Sequence, residues 1–579
     1  MARQRGLCLC AVCRLSRPPR AVLFFWAERM KSICIPFSEI PQTTRLFDTY
    51  LSDFSQLANY YSHPPNQDGI AAAAREVKLS VDARGQVVDI LRDQNSRFAP
   101  DGKLDESSES NLDRLGRGGA AIVTGQQVGL FSGPALTIYK ALSAIRCADE
   151  MTQHGIDAVP IFWLATTDHD LAEVNETFWS TRNGLARYEL ETDPASAGKC
   201  VGQIVLGNSV EAAVQTAAQT VDGPGAADVA RALRESYATG ETYGSAFGKL
   251  LARLLAGRGI LLLDPLDARF DRLTAPVFRG AIEASDDLRV SLLERSQALE
   301  DAGYHVQVKV TEGSTLLFCS VEGRREPLHV QKDGSFTAGS RRFSKAELLS
   351  TLEKTPEAFT ASALLRPVVQ DTILPTAALI GGPAEIAYLA QSQVAYAKLL
   401  GRMPAVLPRA SFTLIEPPLA RFLDQYGLDI RDAFRGRQHM RAKMEQKALP
   451  DDLTKRFDQD EDTLRGIVRG YREPLERLDA TLVGSVETTE EKITGVLLKL
   501  KEKVGRAENF RSGVIDRHEK ILLDSLYVNH ELQERHLSVL PHLAVHGPQL
   551  LDDLLRIMLP PGSSSTSECA GQHRVFFLD

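Results

Sequence analysis

The sequence predicts an α/β protein whose parallel core sheet is interrupted by two insertions and followed by a C-terminal α-helical coiled coil. Three observations carry this. A strand, helix, strand succession over 120–165 ends both strands in polar residues, a further strand near 374–380 runs into a glycine turn and a helix, and large apolar residues recur at heptad spacing from Leu464.

In order along the chain, a polar and largely helical lead-in extends to about residue 115. Ala120-Ala121-Ile122-Val123-Thr124 then reads as a buried strand that stops at Gly125-Gln126-Gln127. A helix follows the loop: Pro134 suits a first turn, Leu136, Tyr139, Leu142, Ile145 and Ala148 recur at helical spacing, and Gly155 supplies the stop. Val159-Pro160-Ile161-Phe162-Trp163-Leu164-Ala165 is a second apolar strand, running into Thr166-Thr167-Asp168-His169-Asp170. Such a βαβ unit is right-handed and opens its ligand crevice at the carboxyl ends of the strands.

The first insertion covers about 176–258, short strands and turns and then helices. Gly259-Ile260-Leu261-Leu262-Leu263-Asp264-Pro265 returns to the sheet, and a helix runs to about 302. The second insertion, about 303–360, contains short β segments with Lys332-Asp333-Gly334-Ser335 as the expected centre of a type I′ hairpin. Leu374-Pro375-Thr376-Ala377-Ala378-Leu379-Ile380 then feeds Gly381-Gly382-Pro383 and a helix.

From about 417 the chain is highly charged and helical. Leu464, Val468, Tyr471, Leu475, Leu478 and Leu482 form a heptad seam, which Pro474 should kink and which slips after Val486 before Ile493, Leu497, Leu500 and Val504 resume. A broken antiparallel coiled coil over 417–535, serving dimerisation, is the expectation. Residues 536–559 should pack back on the 30–416 core, and 560–579, opening with Pro560-Pro561-Gly562 and three serines, should form a flexible tail.

Composition narrows the function classes. With 67 Lys+Arg against 75 Asp+Glu and a net charge of -8, nucleic acid is not the expected partner. No run approaches the roughly 20 apolar residues of a membrane span, so a cytoplasmic protein is expected. The eight cysteines suggest no disulfide framework; Cys8, Cys10 and Cys13 lack the further ligands that would complete a metal site, and no metal is expected. Residues 1–29 carry six arginines and one glutamate and read as a non-native extension ahead of Met30.

Four clusters could carry chemistry. Gly125, Gln126 and Gln127, with Gly129 and Gly133, form a loop whose amides could hold an anion; Lys140, one turn into the helix, could reach a phosphate or snorkel. Asp168, His169 and Asp170, with Glu173 and Asn175 behind them, suit acid–base work, although an aspartate there could simply cap a following helix. Arg366, Gln370 and Asp371 could hold a substrate carboxylate by a guanidinium fork, or Arg366 and Asp371 could form a buried ion pair. Glu385, with Tyr388 on the same helix, could read a substrate amine or complement the helix dipole.

At these residues the sequence resembles the BshC family of bacillithiol biosynthesis cysteine-adding enzymes. The resemblance lies in VTGQQVGLFSGPALTIYKALSAIRCADE at 123–150, PIFWLATTDHDLAEVNE at 160–176, LLRPVVQDTILPTAALIGGPAEIAYLAQ at 364–391 and ERHLSVLPHLAVHGPQLLDDL at 534–554. It implies a Rossmann-like core related to class I aminoacyl-tRNA synthetases, two connecting insertions and a homodimer made through the coiled coil. It also implies amide formation between L-cysteine and glucosaminyl-malate, with ATP expected to activate the carboxyl. The synthetase signatures HIGH and KMSKS are absent, and Thr137-Ile138-Tyr139-Lys140 stands in the corresponding stretch. The expected roles are catalysis for Asp168, His169 and Asp170; substrate binding for Gly125, Gln126, Gln127, Asn175, Arg366, Gln370, Asp371, Glu385 and Tyr388; and cofactor binding for Gly133 and Lys140. The alternatives are a non-catalytic nucleotide-binding coiled-coil scaffold or sensor, and a nucleotidyltransferase acting on another amino acid.

Overall fold

The computed structural model describes residues 31–181, 184–447, 451–559 and 569–578. The expected extension over 1–29, Cys8, Cys10 and Cys13, and the linker at 560–565 lie outside the described residues.

Five strands make the core sheet: β1 Ala120–Gln126, β2 Ala158–Leu164, β3 Leu261–Leu263, β4 Thr376–Gly381 and β5 Ala405–Pro408. All neighbours are parallel, and the spatial order is β3-β2-β1-β4-β5. This is the doubly wound Rossmann order, in which the chain moves outward from β1 in one direction and then in the other. Both faces are covered, which is why the strands are continuously apolar in sequence. Side chains alternate between two cores: Ala121, Val123, Ile161, Trp163 and Leu263 pack on one face, and Ile122, Phe162, Leu164 and Leu262 on the other.

The first insertion holds the antiparallel pair Glu176–Thr181 and Gly184–Glu189 and three helices, Ser209–Thr220, Ala226–Ser236 and Tyr243–Leu254. The second is a five-stranded antiparallel sheet in which Arg324–Val330 pairs with both Ser314–Val321 and Phe336–Ala338. Its hairpin at Lys332-Asp333-Gly334-Ser335 is not the expected type I′. Of these residues only Gly334 has positive φ, at 79°, and its N–H donates to the Gln331 carbonyl, so an ordinary turn is closed by one left-handed glycine.

Beyond the core, helices Asp451–Arg469 and Val483–Ser512 form an antiparallel hairpin, with Arg465 and Arg469 paired to Glu490 and Lys501 to Asp458. The expected seam does not run through one kinked helix. Pro474 has no N–H for the Gly470 carbonyl, so the first helix ends at Arg469, and Pro474 sits in the opening turn of a short helix, Arg472–Leu478. Tyr471 and Leu478 are left exposed. Residues 540–558 return to the core, burying Leu540, Leu543, Leu551 and Leu554.

Two further expectations are corrected. The described part of the tail, 569–578, is not free chain: His573–Phe577 is the middle strand of a three-stranded sheet, antiparallel to Ser32–Ile35 and parallel to Phe412–Ile415. Val575 and Phe576 fill the core there, an anchorage that the polar residues before them conceal. Cys34 and Cys569, 535 residues apart, form a disulfide with a Cα–Cα distance of 5.6 Å. Sheet pairing brings them together, and sequence spacing carries no sign of it. No helix among the described residues is long and apolar enough to cross a membrane.

Candidate active site

The strand order reverses between β1 and β4, and such a switch point leaves a crevice at the carboxyl ends of the strands. A cavity of about 590 Å³ lies there, lined from β1 by Gly125, Gln126 and Gln127, from the β2 end by Asp168 and His169, and from the β4 end by Gly382, Glu385 and Tyr388. Arg366 enters from the helix Arg366–Ile373, Arg409 from just after β5, and Arg325 from the second insertion.

Gln126 is the last residue of β1 and Gln127 the first beyond it, and their side chains take different partners. Gln126 turns its Oε1 to Lys140, and Gln127 turns its Nε2 to Asp168 Oδ2 at 2.9 Å and to Glu173. Gly125 is required by packing: a Cβ there would lie 2.7 Å from the Trp163 carbonyl oxygen. Lys140 is only 3% exposed and donates to the Gly125 carbonyl and Gln126 Oε1, both at 2.8 Å, and to Glu385 in an ion pair. An ammonium has three N–H groups, so none remains for a phosphate, which corrects its expected cofactor role. Burial pulls the Lys140 pKa down and Glu385 opposes it. Glu385 also accepts the Gly382 N–H at 2.8 Å, so it caps its helix and neutralises Lys140 together.

The Asp168 cluster is held by the inserted sheet. Arg325 donates to His169 Nδ1 at 2.9 Å, to Thr360 Oγ1 and to the Ala361 carbonyl at 2.8 Å, and stacks 3.6 Å from the Phe318 ring centroid. A neutral imidazole that accepts at Nδ1 carries its proton on Nε2, so His169 presents a donor. Burial raises the Asp168 pKa, but Gln127, the His169 N–H and Arg325 outweigh it and hold the carboxyl below its ordinary range. No helix follows Asp168 to be capped; the chain turns straight into the strand Glu176–Thr181.

Arg366 is the first residue of its helix and donates to Gln370 Oε1 at 3.1 Å and to the Tyr388 hydroxyl at 3.0 Å, both neutral partners. It makes no ion pair with Asp371, which is buried against Gln370 Nε2 and the Tyr396 hydroxyl. Gln370 and Asp371 therefore stand behind the cavity wall, the first supporting Arg366. Asp170 is exposed and Asn175 is buried against the Leu190 carbonyl, and neither lines the cavity. Gly133 is also outside it, and the loop before the helix Leu136–Gln153 is no anion cradle: the N–H groups of Leu130, Phe131, Gly133 and Ala135 donate to Val174, Tyr237, Leu130 and Leu537.

Three cavity arginines escaped the reading of the sequence: Arg325, Arg409 and Arg535. Arg325 sits in an insertion with no local signal, whereas Arg535 lies within the 534–554 stretch already quoted for its resemblance. Among the described residues, Lys140, Arg325, Arg366, Arg409 and Arg535 line the cavity with only Asp168 and Glu385 as carboxylates, so the site suits an anionic ligand.

A family model described as the bacillithiol biosynthesis BshC N-terminal Rossmann-like domain matches residues 30–410, and one described as the BshC C-terminal coiled-coil domain matches 412–564. A protein of Koribacter versatilis is 38% identical over 90% of this chain and 97% of its own. One of Solibacter usitatus is 37% identical over 90% and 96%, and one of Salinibacter ruber 32% identical over 88% and 93%. Each is described as "Putative cysteine ligase BshC".

Proposed function

The chain belongs to the BshC family, and from that premise we propose that this cysteine ligase joins the carboxyl of L-cysteine to the amine of glucosaminyl-malate, the final step to bacillithiol. The observation that carries the reading is the charge of the cavity at the switch point, five cationic side chains against two carboxylates. Both substrates bring carboxylates, and the malyl group brings two, so a cationic cleft with a small acidic corner matches them. Asp168 and Glu385 are the groups able to meet an amine. Arg325, Arg366, Arg409 and Arg535 are those able to fork carboxylate or phosphate oxygens.

A carboxylate is a poor acyl electrophile, so ATP is the proposed source of activation. The arginines, not Lys140 or the glycine loop, would hold its phosphates. The chain's own contribution is to orient the amine against the activated carboxyl: His169 offers its Nε2 proton to an oxygen, and ionised Asp168 accepts a proton or hydrogen bond from the amine. The proposed assembly is a homodimer through the helical hairpin, on which Leu453, Ile467, Val496 and Leu500 expose apolar surface.

Mass spectrometry of the chain with L-cysteine, glucosaminyl-malate and ATP tests this. The expected result is the amide product with stoichiometric AMP or ADP, AMP marking an adenylate and ADP an acyl phosphate. No product from folded protein under any of these conditions would overturn the reading.

A further inference from the structure

Arg409 is 8% exposed and leans over the Gly382 turn, where a Cβ would come within 3.4 Å of its Nε. It is held from behind. Its Nη2 lies 2.7 Å from Glu534 Oε1, and its Nη1 donates to the Ala410 carbonyl at 2.8 Å. Among the described residues no other acceptor reaches the guanidinium, which therefore keeps unpartnered N–H groups where it lines the cavity.

Glu534 is fully buried, and its carboxylate also accepts the Ser411 hydroxyl at 2.7 Å and the Phe412 N–H at 2.8 Å. A hydroxyl has one proton to give. Ser411 spends it on Glu534 and must therefore accept from His573 Nδ1, 2.7 Å away. The proton of His573 is then on Nδ1, and its Nε2 accepts from the Thr413 hydroxyl at 2.9 Å. Burial pushes the His573 pKa down to about 4, which agrees with a neutral ring. The hydrogen bonds thus run in one direction, from Thr413 to His573 to Ser411 to Glu534, and end on the carboxylate into which Arg409 donates from the cavity side.

We propose that Glu534 and His573 are positioning residues that, through Ser411, hold Arg409 as the guanidinium gripping an anionic oxygen group of the ligand, so that the carboxy-terminal strand is a working part of the site. The group is a carboxylate or a phosphate, which share this fork chemistry. A merely structural ion pair would explain the burial of Glu534. It would not explain why the chain of donors converges on the carboxylate shared with Arg409, whose guanidinium lines a cleft rich in positive charge and keeps unpartnered N–H groups. The inference rests on the assignment of this cavity as the ligation site.

The test uses the full chain, isothermal titration with L-malate and with inorganic pyrophosphate, and the product assay. Arg409→Ala and Glu534→Gln should each weaken binding of at least one probe about tenfold, roughly the loss of one charge-assisted fork. Ser411→Ala, which deletes one oxygen and is the variant most certain to fold, should weaken it about threefold. Because the residues act as one unit, Arg409→Ala/Glu534→Gln should bind no worse than Arg409→Ala alone. In turnover, KM for the anionic substrate should rise more than kcat falls. A loss confined to malate identifies a carboxylate, and one confined to pyrophosphate a phosphate. Unchanged binding in Arg409→Ala, strictly additive losses, or no binding of either probe by the parent chain would overturn the proposal. Product formation indifferent to Arg409 would sink this inference and leave the ligase standing; Arg409-dependent probe binding without product would do the reverse.

Discussion

Glu385→Gln isolates the charge that keeps Lys140 inside the protein. The change preserves shape, and the new amide oxygen can still accept the Gly382 N–H that Glu385 now receives at 2.8 Å. What disappears is the negative partner of an ammonium 3% exposed. Opposite charges about 4 Å apart at an effective dielectric near 20 interact by about 4 kcal/mol. The amide dipole restores about 1 kcal/mol, leaving a loss of about 3 kcal/mol. For the cooperative unit containing the sheet this is a fall in Tm of roughly 6–12 °C by scanning calorimetry at pH 7. Lys140→Met in the same chain should recover most of it, because removing both charges leaves no unpaired ion. The pH dependence has a definite sign. Burial holds the folded Lys140 pKa below its ordinary value, so the unfolded chain keeps a proton the folded chain sheds between the two values, and stability rises with pH across that window. The Glu385→Gln penalty should accordingly be full at neutral pH and shrink toward pH 10.5. A fall under about 2 °C, or a double variant less stable than the single, would refute the reasoning.

Two further outcomes are expected. Burial raises the Glu416 pKa, but hydrogen bonds from His542 at 2.6 Å and His546 at 2.9 Å pull it down to about 2. This carboxylate should therefore contribute stability that is present above pH 4.5 and lost as pH falls toward 2, at most about 3 kcal/mol by linkage, and Glu416→Gln should flatten the acid limb of a pH–Tm profile. Arg325→Ala removes the donor to His169 Nδ1 and the Phe318 stack; product formation should fall at least about tenfold, and Arg325→Lys should not restore it because an ammonium cannot supply the three-way fork. Wild-type rates in either variant would remove Arg325 from the site.

What the sequence determined by itself was periodicity and punctuation. Continuous apolar runs ending in Gly125-Gln126-Gln127 and in Asp168-His169 mark buried parallel strands, because only a strand covered on both faces lacks polar alternation. The same runs placed the cavity at the strand ends, and Gly382-Pro383 placed the helix that carries Glu385 and Tyr388. The heptad rule found the helical hairpin and Pro474 its break, but not the form of that break: spacing registers side chains, whereas the missing N–H acts on the backbone and ends the helix at Arg469 instead of bending it.

Tertiary structure decided whatever depends on distant segments meeting. Lys140 became an internal counterion because Glu385, 245 positions later, closes on it. Arg325 reached His169 only when an inserted sheet folded over the core, and Asp371 left the site because the five residues from Arg366, about 1.4 helical turns, carry it round to the side away from the cavity that Arg366 faces. The carboxy-terminal strand could not be inferred from its polar lead-in: its place between Ser32–Ile35 and Phe412–Ile415, and the pairing of Cys34 with Cys569, exist only once both partner strands are laid down. Strand pairing is specified by two edges and a buried face at once, and a linear chain displays neither edge.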